Sequence, residues 1–200
     1  MKLTMSKGMR RALISGIALV ALGVFFFLAI GGWYLWTQHD RNFHTVIPGV
    51  LYRSAQMNGD QIKSRVEASG ARAMLNLRGL RPGQDWYEEE ITVAKAIGIT
   101  HLDYGISANA PVTLAQMKEI LVLIEQAPKP LLIHCEAGAD RTGLVVALYL
   151  LTHGHSEAQA REALALRFGH LPYLMWASTH SMDDSLDLFV ADFKARPQTP

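Results

Sequence analysis

Cysteine is scarce in this chain: Cys135 is the only one in 200 residues. A single cysteine cannot form an intrachain disulfide, so cysteine usage does not indicate a cellular compartment. None of the histidines has a spacing typical of a metal site, and we predict no metal and no cofactor. The net charge of +1 favours neither nucleic acid nor a strongly acidic partner. Repeats and low-complexity segments are also absent, and the sequence leaves the oligomeric state open.

Charged side chains are absent from residues 12–36. A helix of this length exceeds the hydrocarbon core of a bilayer, about 30 Å thick. Trp33, Tyr34 and Trp36 occupy the positions of an interfacial aromatic belt. We therefore predict a basic N-terminus at 1–11 and a transmembrane helix at 12–36. The alternative is a cleaved signal peptide, but the apolar stretch is longer than usual for one and no Ala-x-Ala site follows it.

The basic residues around this stretch are unevenly placed. Lys2, Lys7, Arg10 and Arg11 precede it, whereas only Arg41 follows closely. This asymmetry predicts a cytoplasmic N-terminus, with the rest of the chain on the other side of the membrane. That side is the periplasm if the cell is Gram-negative. A polar connector at 37–45 then leads to one domain at 46–195, long enough to bury a sizeable core.

Strand and helix patterns alternate within this domain. Alternation of this kind predicts an α/β fold with a central, mostly parallel sheet flanked by helices. Three acidic residues, Glu88, Glu89 and Glu90, fall in the first turns of one helix, and we interpret them as a solvated face. The predicted elements are extended pieces at 46–47 and 50–52, helices at 58–69 (with Asp60 as a start signal), 86–97, 113–126, 144–151, 156–167 and 181–194, and strands at 71–77, 99–102 and from 131.

The most informative stretch runs from Leu131 to Gly143. An apolar strand ends at Cys135, five residues follow, and Arg141-Thr142-Gly143 then lead into an apolar helix. The backbone N–H groups of a loop that feeds a helix N-terminus favour an anion. The carboxyl end of a central strand is also where open α/β sheets place their ligands. The stretch therefore predicts a phosphate-binding loop.

The side chains of this loop suit phosphoryl transfer. The electrostatic field of these N–H groups and of the helix N-terminus also stabilises a thiolate, which would make Cys135 a competent nucleophile. The planar fork of Arg141 can hold two phosphoryl oxygens. Thr142 offers a hydroxyl suited to stabilising the thiolate when it leaves, and Gly138 permits a positive φ. The alternative for Cys135 by itself is a buried, inert thiol.

The pattern His134-Cys135-x5-Arg141-Thr142 resembles the signature of the cysteine-dependent protein tyrosine phosphatase superfamily, in its compact dual-specificity branch. The segments 43–56 (FHTVIPGVLYRSAQ) and 74–78 (MLNLR) resemble bacterial and plant-fungal members, and the likeness covers roughly residues 43–170. The resemblance implies hydrolysis of phosphomonoesters through a phosphocysteine intermediate. It gives His134 a supporting role beside the cysteine and assigns phosphate binding to Glu136, Ala137, Gly138, Ala139, Asp140 and Arg141.

The resemblance also implies an aspartate that protonates the leaving oxygen, about thirty residues before the cysteine. Asp103 lies 32 residues before Cys135, after a predicted strand, and is the best match. Asp85 is the alternative acid. The segment around Asp103 lacks the Trp-Pro-Asp triplet of larger tyrosine phosphatases, and a turn or cap aspartate is the other interpretation of this residue.

The substrate is less well specified. No lysine stands between Cys135 and Arg141, whereas Glu136 and Asp140 are acidic, and this favours a single phosphomonoester over a multiply phosphorylated inositol. We therefore predict a protein tyrosine or dual-specificity phosphatase. The predicted anchor favours, as an alternative, a lipid phosphate such as a phosphatidylglycerophosphate-like head group; inositol phosphates rank lower. A non-catalytic phospho-binding pseudophosphatase is the alternative of another class, and a rhodanese-like sulfurtransferase would not need the Cys-x5-Arg-Thr pattern.

Overall fold

The computed structural model describes residues 6–172 and 180–195, without the side chains of 12 and 33–39. The chain forms two compact units, Met1–Asp40 and Arg41–Pro200. The first unit contains one helix, α1 (Lys7–Asp40). Its part from Lys7 to Gly32 is long and apolar enough to cross a membrane, a test that a signal sequence also passes. The predicted aromatic belt at 33–36 falls on side chains outside those described.

The second unit is built on a five-stranded sheet of order β1-β2-β5-β3-β4. β1 pairs antiparallel with β2, and the other pairs are parallel. The predicted α/β fold with a mostly parallel sheet is confirmed. Its elements are β1 (His44–Ile47), β2 (Leu51–Ser54), α2 (Gly59–Ser69), β3 (Ala73–Asn76), α3 (Asp85–Ala96), β4 (Thr100–Asp103), α4 (Leu114–Gln126), β5 (Leu131–His134), α5 (Asp140–Thr152), α6 (Glu157–Arg161) and α7 (His180–Ala195).

Every residue of the central strands β3 and β5 is buried. Successive side chains of a strand point to opposite faces, so each strand contributes to two apolar clusters. Leu75 and Ile133 pack on the face covered by α4, α5 and α7. Met74 and Leu132 pack on the other face, against Ile62 of α2 and other apolar residues there. This two-sided burial explains the nearly continuous apolar character of the strands.

The helix predicted at 58–69 is present as α2. Its N-cap is Asn58, whose side chain accepts from the N–H of Gln61, and the start signal Asp60 lies within the first turn. The last predicted helix before α7 needs correction. The helix predicted at 156–167 ends at Arg161 and continues as two short 3₁₀ turns, Glu162–Leu164 and Leu166–Phe168. The carbonyl of Ala163 accepts a hydrogen bond from a buried arginine side chain, Arg53, at 2.8 Å. A non-local hydrogen bond of this kind replaces the regular helical pattern.

Candidate active site

Four consecutive carbonyl groups of the loop between β5 and α5 face the body of the domain. Each belongs to one of residues 136–139, and each accepts a hydrogen bond from a residue before α2. The donors are the backbone N–H of Gln56 to Glu136 (3.0 Å), Asn42 Nδ2 to Ala137 (3.0 Å), and Arg53 Nη2 to Gly138 (2.7 Å) and Ala139 (3.3 Å). Hydrogen bonds therefore fix residues 136–139 of the loop on the side that faces the body of the domain.

The direction of these carbonyls fixes the direction of the following N–H groups. In a planar trans peptide, the C=O of one residue and the N–H of the next point in opposite directions. The N–H groups of residues 137–140 consequently point away from the body of the domain and share one side of the loop. Consecutive N–H groups that converge in this way form an anion-binding concavity. The predicted phosphate cradle thus has the required backbone orientation.

Arg53 is the principal support of the loop. Its side chain is fully buried, with the guanidinium carbon 3.9 Å from the centre of the Phe168 ring. Burial lowers the pKa of Arg53 to about 10, while the nearby Cys135 and Asp140 act in the opposite direction. The group therefore stays charged at neutral pH and places a positive charge behind Cys135. In the sequence, Arg53 stands out only as part of the segment 43–56 that resembles the family.

Glycine is required at position 138. Its φ is +69°, and a Cβ there would lie 2.6 Å from the backbone of Ser54. Any side chain would therefore push the loop away from β2 and strain its backbone. The close approach is also what allows Arg53, on β2, to reach the Gly138 carbonyl. The glycine predicted from the sequence thus sets the distance between the loop and its support.

The side chains predicted to act at the phosphate lie together at this loop. Cys135 is buried at the start of the loop, and Arg141 reaches a surface cavity of about 560 Å³, where its Nη2 lies 3.8 Å from Glu136 Oε2. The Thr142 hydroxyl is buried and has no hydrogen-bond partner among the described residues. The cavity is lined by Arg78, Gly79, Leu80, Arg81, Gly105, Ile106, Ser107, Ala108, Asn109, Glu136 and Arg141.

Asp140 is adjacent to Arg141 in the sequence, but its carboxylate is paired with a histidine, His170. Its Oδ1 lies 2.6 Å from Nδ1 of the buried His170, whose Nε2 lies 2.9 Å from Asp183 Oδ2. Burial tends to lower the pKa of His170, but its hydrogen bonds with the two aspartates outweigh burial and raise it. Asp140 therefore ties the start of α5 to α7.

The two candidate acids do not line the cavity, and Cys135 does not line it either. Asp103, at the end of β4, accepts hydrogen bonds from Asn76 Nδ2 at 2.8 Å and from the Tyr87 hydroxyl at 2.5 Å. Burial and this hydrogen bond raise the pKa of Tyr87. Asp85 is the exposed first residue of α3. Neither aspartate is among the residues that line the cavity. The acid role of Asp103 stays a prediction.

The interpretation of Glu90 as part of a solvated face is wrong. Glu88 and Glu89 are exposed, but Glu90 is buried because it lies three residues after the buried Tyr87, on the inner face of α3. Its Oε1 is 3.2 Å from His134 Nε2 and 2.8 Å from His101 Nε2. Burial by itself would raise the pKa of Glu90, but the two histidines and a hydrogen bond from Gln56 lower it well below its ordinary value. His134 thus stands between the loop and a buried carboxylate.

A cysteine at the carboxyl end of a central parallel strand, on a loop whose N–H groups converge beside an arginine, defines a cysteine-based phosphatase. The family comparison agrees. Residues 40–187 match the family described as PTP-SAK, Swiss Army Knife protein, DSP-PTPase phosphatase domain, and the chain belongs to this family. The search of curated proteins found no match.

Solved structures share the fold at low sequence identity. P. aeruginosa TpbA, solved as a cysteine-to-serine variant in complex with pTyr, is 21% identical, with a TM-score of 0.55 over 76% of this chain and 92% of that one. The catalytic core of the PP-IP phosphatase SIW14 from S. cerevisiae is 22% identical, with a TM-score of 0.54 over 78% and 94%. PTPMT1 is 18% identical, with a TM-score of 0.52 over 77% and 99%.

The support given by Arg53 can be tested with Arg53→Lys. A lysine ammonium cannot hold the carbonyls of Gly138 and Ala163 together as the guanidinium fork does. We expect kcat/KM for p-nitrophenyl phosphate and the affinity for vanadate to fall together, by about 10- to 100-fold, the loss expected for one charge-assisted hydrogen bond. Arg167→Lys is the matched control, because Arg167 also stacks on Phe168 but is exposed. Unchanged vanadate affinity in Arg53→Lys would show that the loop does not need this support.

Proposed function

We propose that this chain is a protein tyrosine or dual-specificity phosphatase that acts through a phosphocysteine intermediate at Cys135. The observation that carries the proposal is the loop backbone, with four carbonyls held from behind and the N–H groups of 137–140 free to meet an oxyanion. The open, largely polar cavity beside Arg141 supports access by a phosphorylated side chain on a protein surface. The complex of TpbA with pTyr, a structure of the same fold, agrees with this substrate class.

In the proposed mechanism, the Cys135 thiolate attacks phosphorus and the ester oxygen leaves with a proton. The loop N–H groups and Arg141 hold the three equatorial oxygens, where charge is spread in the transition state. Water then attacks the phosphocysteine and gives its proton to the same group that protonated the ester oxygen, while the Thr142 hydroxyl stabilises the departing thiolate. The buried positive charge of Arg53 favours the thiolate in both steps.

The basic reaction is tested by phosphate release. The full-length chain in detergent, wild type beside Cys135→Ser, is given phosphotyrosine and phosphoserine peptides and, in parallel, phosphatidylglycerophosphate. We expect the wild type to release phosphate and the variant to lose at least about 1,000-fold in kcat, because the serine hydroxyl is not ionised at neutral pH. If folded wild type releases phosphate from none of them, the catalytic proposal fails and a phospho-binding role replaces it.

We propose Asp103 as the general acid, as the sequence predicts; to act, its carboxyl must leave Asn76 or Tyr87 and turn toward the cavity. Asp103→Asn should then lower kcat by about 100-fold or more on a phosphotyrosine peptide, the usual contribution of a general acid. The loss on p-nitrophenyl phosphate should be much smaller, because p-nitrophenolate leaves without a proton. Asp85→Asn removes the alternative acid and should leave both rates unchanged if Asp103 is the acid.

An equal loss on both substrates with a lowered melting temperature would instead give Asp103 a structural role at the end of β4. Its two hydrogen bonds already join β3, β4 and α3. In that case the proton would have to come from another group or from water. The comparison of leaving groups therefore separates chemistry from structural support.

Hydrolysis of a lipid phosphate is a second candidate, favoured by the apolar helix from Lys7 to Gly32. A tethered domain would meet lipid head groups at the bilayer surface. The parallel assay on phosphatidylglycerophosphate decides between the two substrate classes. A kcat/KM for the lipid far above that for both peptides would make the lipid the substrate.

We also propose that α1 is an uncleaved anchor with its N-terminus in the cytoplasm, as the basic residues before it suggest. In intact spheroplasts, added protease should then degrade the phosphatase domain and leave a short membrane-bound fragment. Recovery of the domain in the soluble fraction without α1 would instead identify a cleaved signal peptide. Protection of the domain until the membrane is dissolved would reverse the orientation.

A further inference from the structure

The cavity beside the phosphate loop contains two arginines that do not belong to the loop. Arg78 and Arg81 lie on the connection between β3 and α3 and line the same cavity as Arg141. Between Cys135 and Arg141 the sequence has two carboxylates, Glu136 and Asp140, and no lysine or arginine. The fold adds two guanidinium groups from a segment more than fifty residues earlier in the chain.

Arg78 is held in place by several contacts. Its backbone N–H donates to Asn76 Oδ1 at 2.8 Å, its guanidinium lies 3.6 Å from the centre of the Trp86 ring, and its Nη1 is 3.3 Å from Gln56 Oε1. A guanidinium stacked on an aromatic face keeps edges available for an anion. Arg78 is thus pre-organised toward the cavity.

Arg81 lies nearer to solvent, and its Nη1 donates to the Leu80 carbonyl at 3.3 Å. The segment that carries it is held against the loop after β4: a Cβ on Gly79 would lie 2.7 Å from Gly105 Cα. Two glycines permit this contact, because Gly79 also has a φ of +73°. The two connections therefore form adjoining walls of the cavity.

The charges in the cavity exceed what one phosphate requires. Three guanidinium groups face a single carboxylate, that of Glu136, among the described lining residues. Glu136 is exposed and lies 3.8 Å from Arg141, and the loop N–H groups share the phosphate with Arg141. Arg78 and Arg81 consequently remain for another anion. The volume of about 560 Å³ lies within the range of sites for molecules far larger than phosphate.

We infer that Arg78 and Arg81 form a subsite for a second anionic group of the substrate, namely the carboxylate of an acidic residue beside the phosphorylated residue of a peptide. This second-anion subsite rests on the proposed function, and it narrows the substrates to acidic phosphopeptides. Its arginines offer the bidentate geometry that carboxylates prefer.

The lining of the cavity favours a peptide over a lipid. Besides the charged groups it contains Ser107 and Asn109, whose polar side chains can hydrogen-bond to an extended peptide. The apolar contribution is confined to Leu80, Ile106, Ala108 and the glycines. An acyl chain would require a continuous apolar surface, which these residues do not provide.

The test measures binding to Cys135→Ser in the full-length chain, so that it does not depend on turnover. Two fluorescent phosphotyrosine peptides differ only in having Asp or Ala on both sides of phosphotyrosine. We expect Cys135→Ser to bind the Asp peptide at least 10-fold more tightly. Adding Arg81→Gln, or Arg78→Gln with Arg81→Gln, should remove most of this preference. Adding Arg72→Gln should not, because this exposed arginine precedes β3 at the opposite end of the strand.

Equal affinity for the two peptides, or a preference that survives both arginine substitutions, would overturn the inference. Arg81→Gln is the safer variant because Arg81 is exposed and makes few contacts. Dihexanoyl phosphatidylglycerophosphate is the third ligand, and tighter binding of this lipid than of the Asp peptide would also overturn the peptide assignment. Hydrolysis of the Ala peptide by wild type tests the proposed function separately, so the two failures can be distinguished.

Discussion

The orientation of four peptide planes, those that follow residues 136–139, is the constraint on which the site depends. A cysteine and an arginine separated by five residues would be inert on a loop with its carbonyls turned toward the phosphate, because carbonyl oxygens repel both a thiolate and a phosphate. The planes are fixed by Gln56, Asn42 and above all Arg53, whose charge also lies behind Cys135. Burying a guanidinium is costly unless it is hydrogen-bonded. The carbonyls of Gly138, Ala139 and Ala163 accept from Nη1 and Nη2 of Arg53, whereas its Nε has no partner among the described residues.

Arg53, which supports the loop, lies on β2, and its role depends on the position of β2 beside β5 in the sheet. β2 pairs in parallel with β5, and Ser54 lies opposite His134 at the carboxyl ends of the two strands. Arg53 therefore reaches the loop that leaves β5, and Gly138 allows the close approach. On the other side of β5, the β3–α3 connection brings Arg78 and Arg81 to the open face of the same loop. Thus β2 supplies the residue that supports the loop, and the connection after β3 supplies the arginines that line the cavity.

The local parts of the site could be predicted from the sequence. The loop, its nucleophile, Gly138 and the mostly parallel sheet follow from a short motif and from alternating patterns, which depend on neighbours along the chain. Arg53 and Asn42 could not be assigned, because their loop partners lie 85 and 95 residues away in sequence. Glu90 was misjudged because acidic residues near a helix start are usually solvated, although its spacing from Tyr87 indicates the inner face. The helix predicted at 156–167 ends early because of a contact that is also distant in sequence: the Ala163 carbonyl accepts a hydrogen bond from Arg53.

The most direct measurement of the central claim is a crystal structure of the wild-type chain with vanadate bound at Cys135. The account predicts that the N–H groups of residues 137–140 all point at vanadate oxygens, at about 3 Å. It also predicts that Arg53 keeps its hydrogen bonds to Gly138 and Ala163, outside the site. A loop carbonyl turned toward the vanadate, or Arg53 released from the loop to bind the anion directly, would contradict the account.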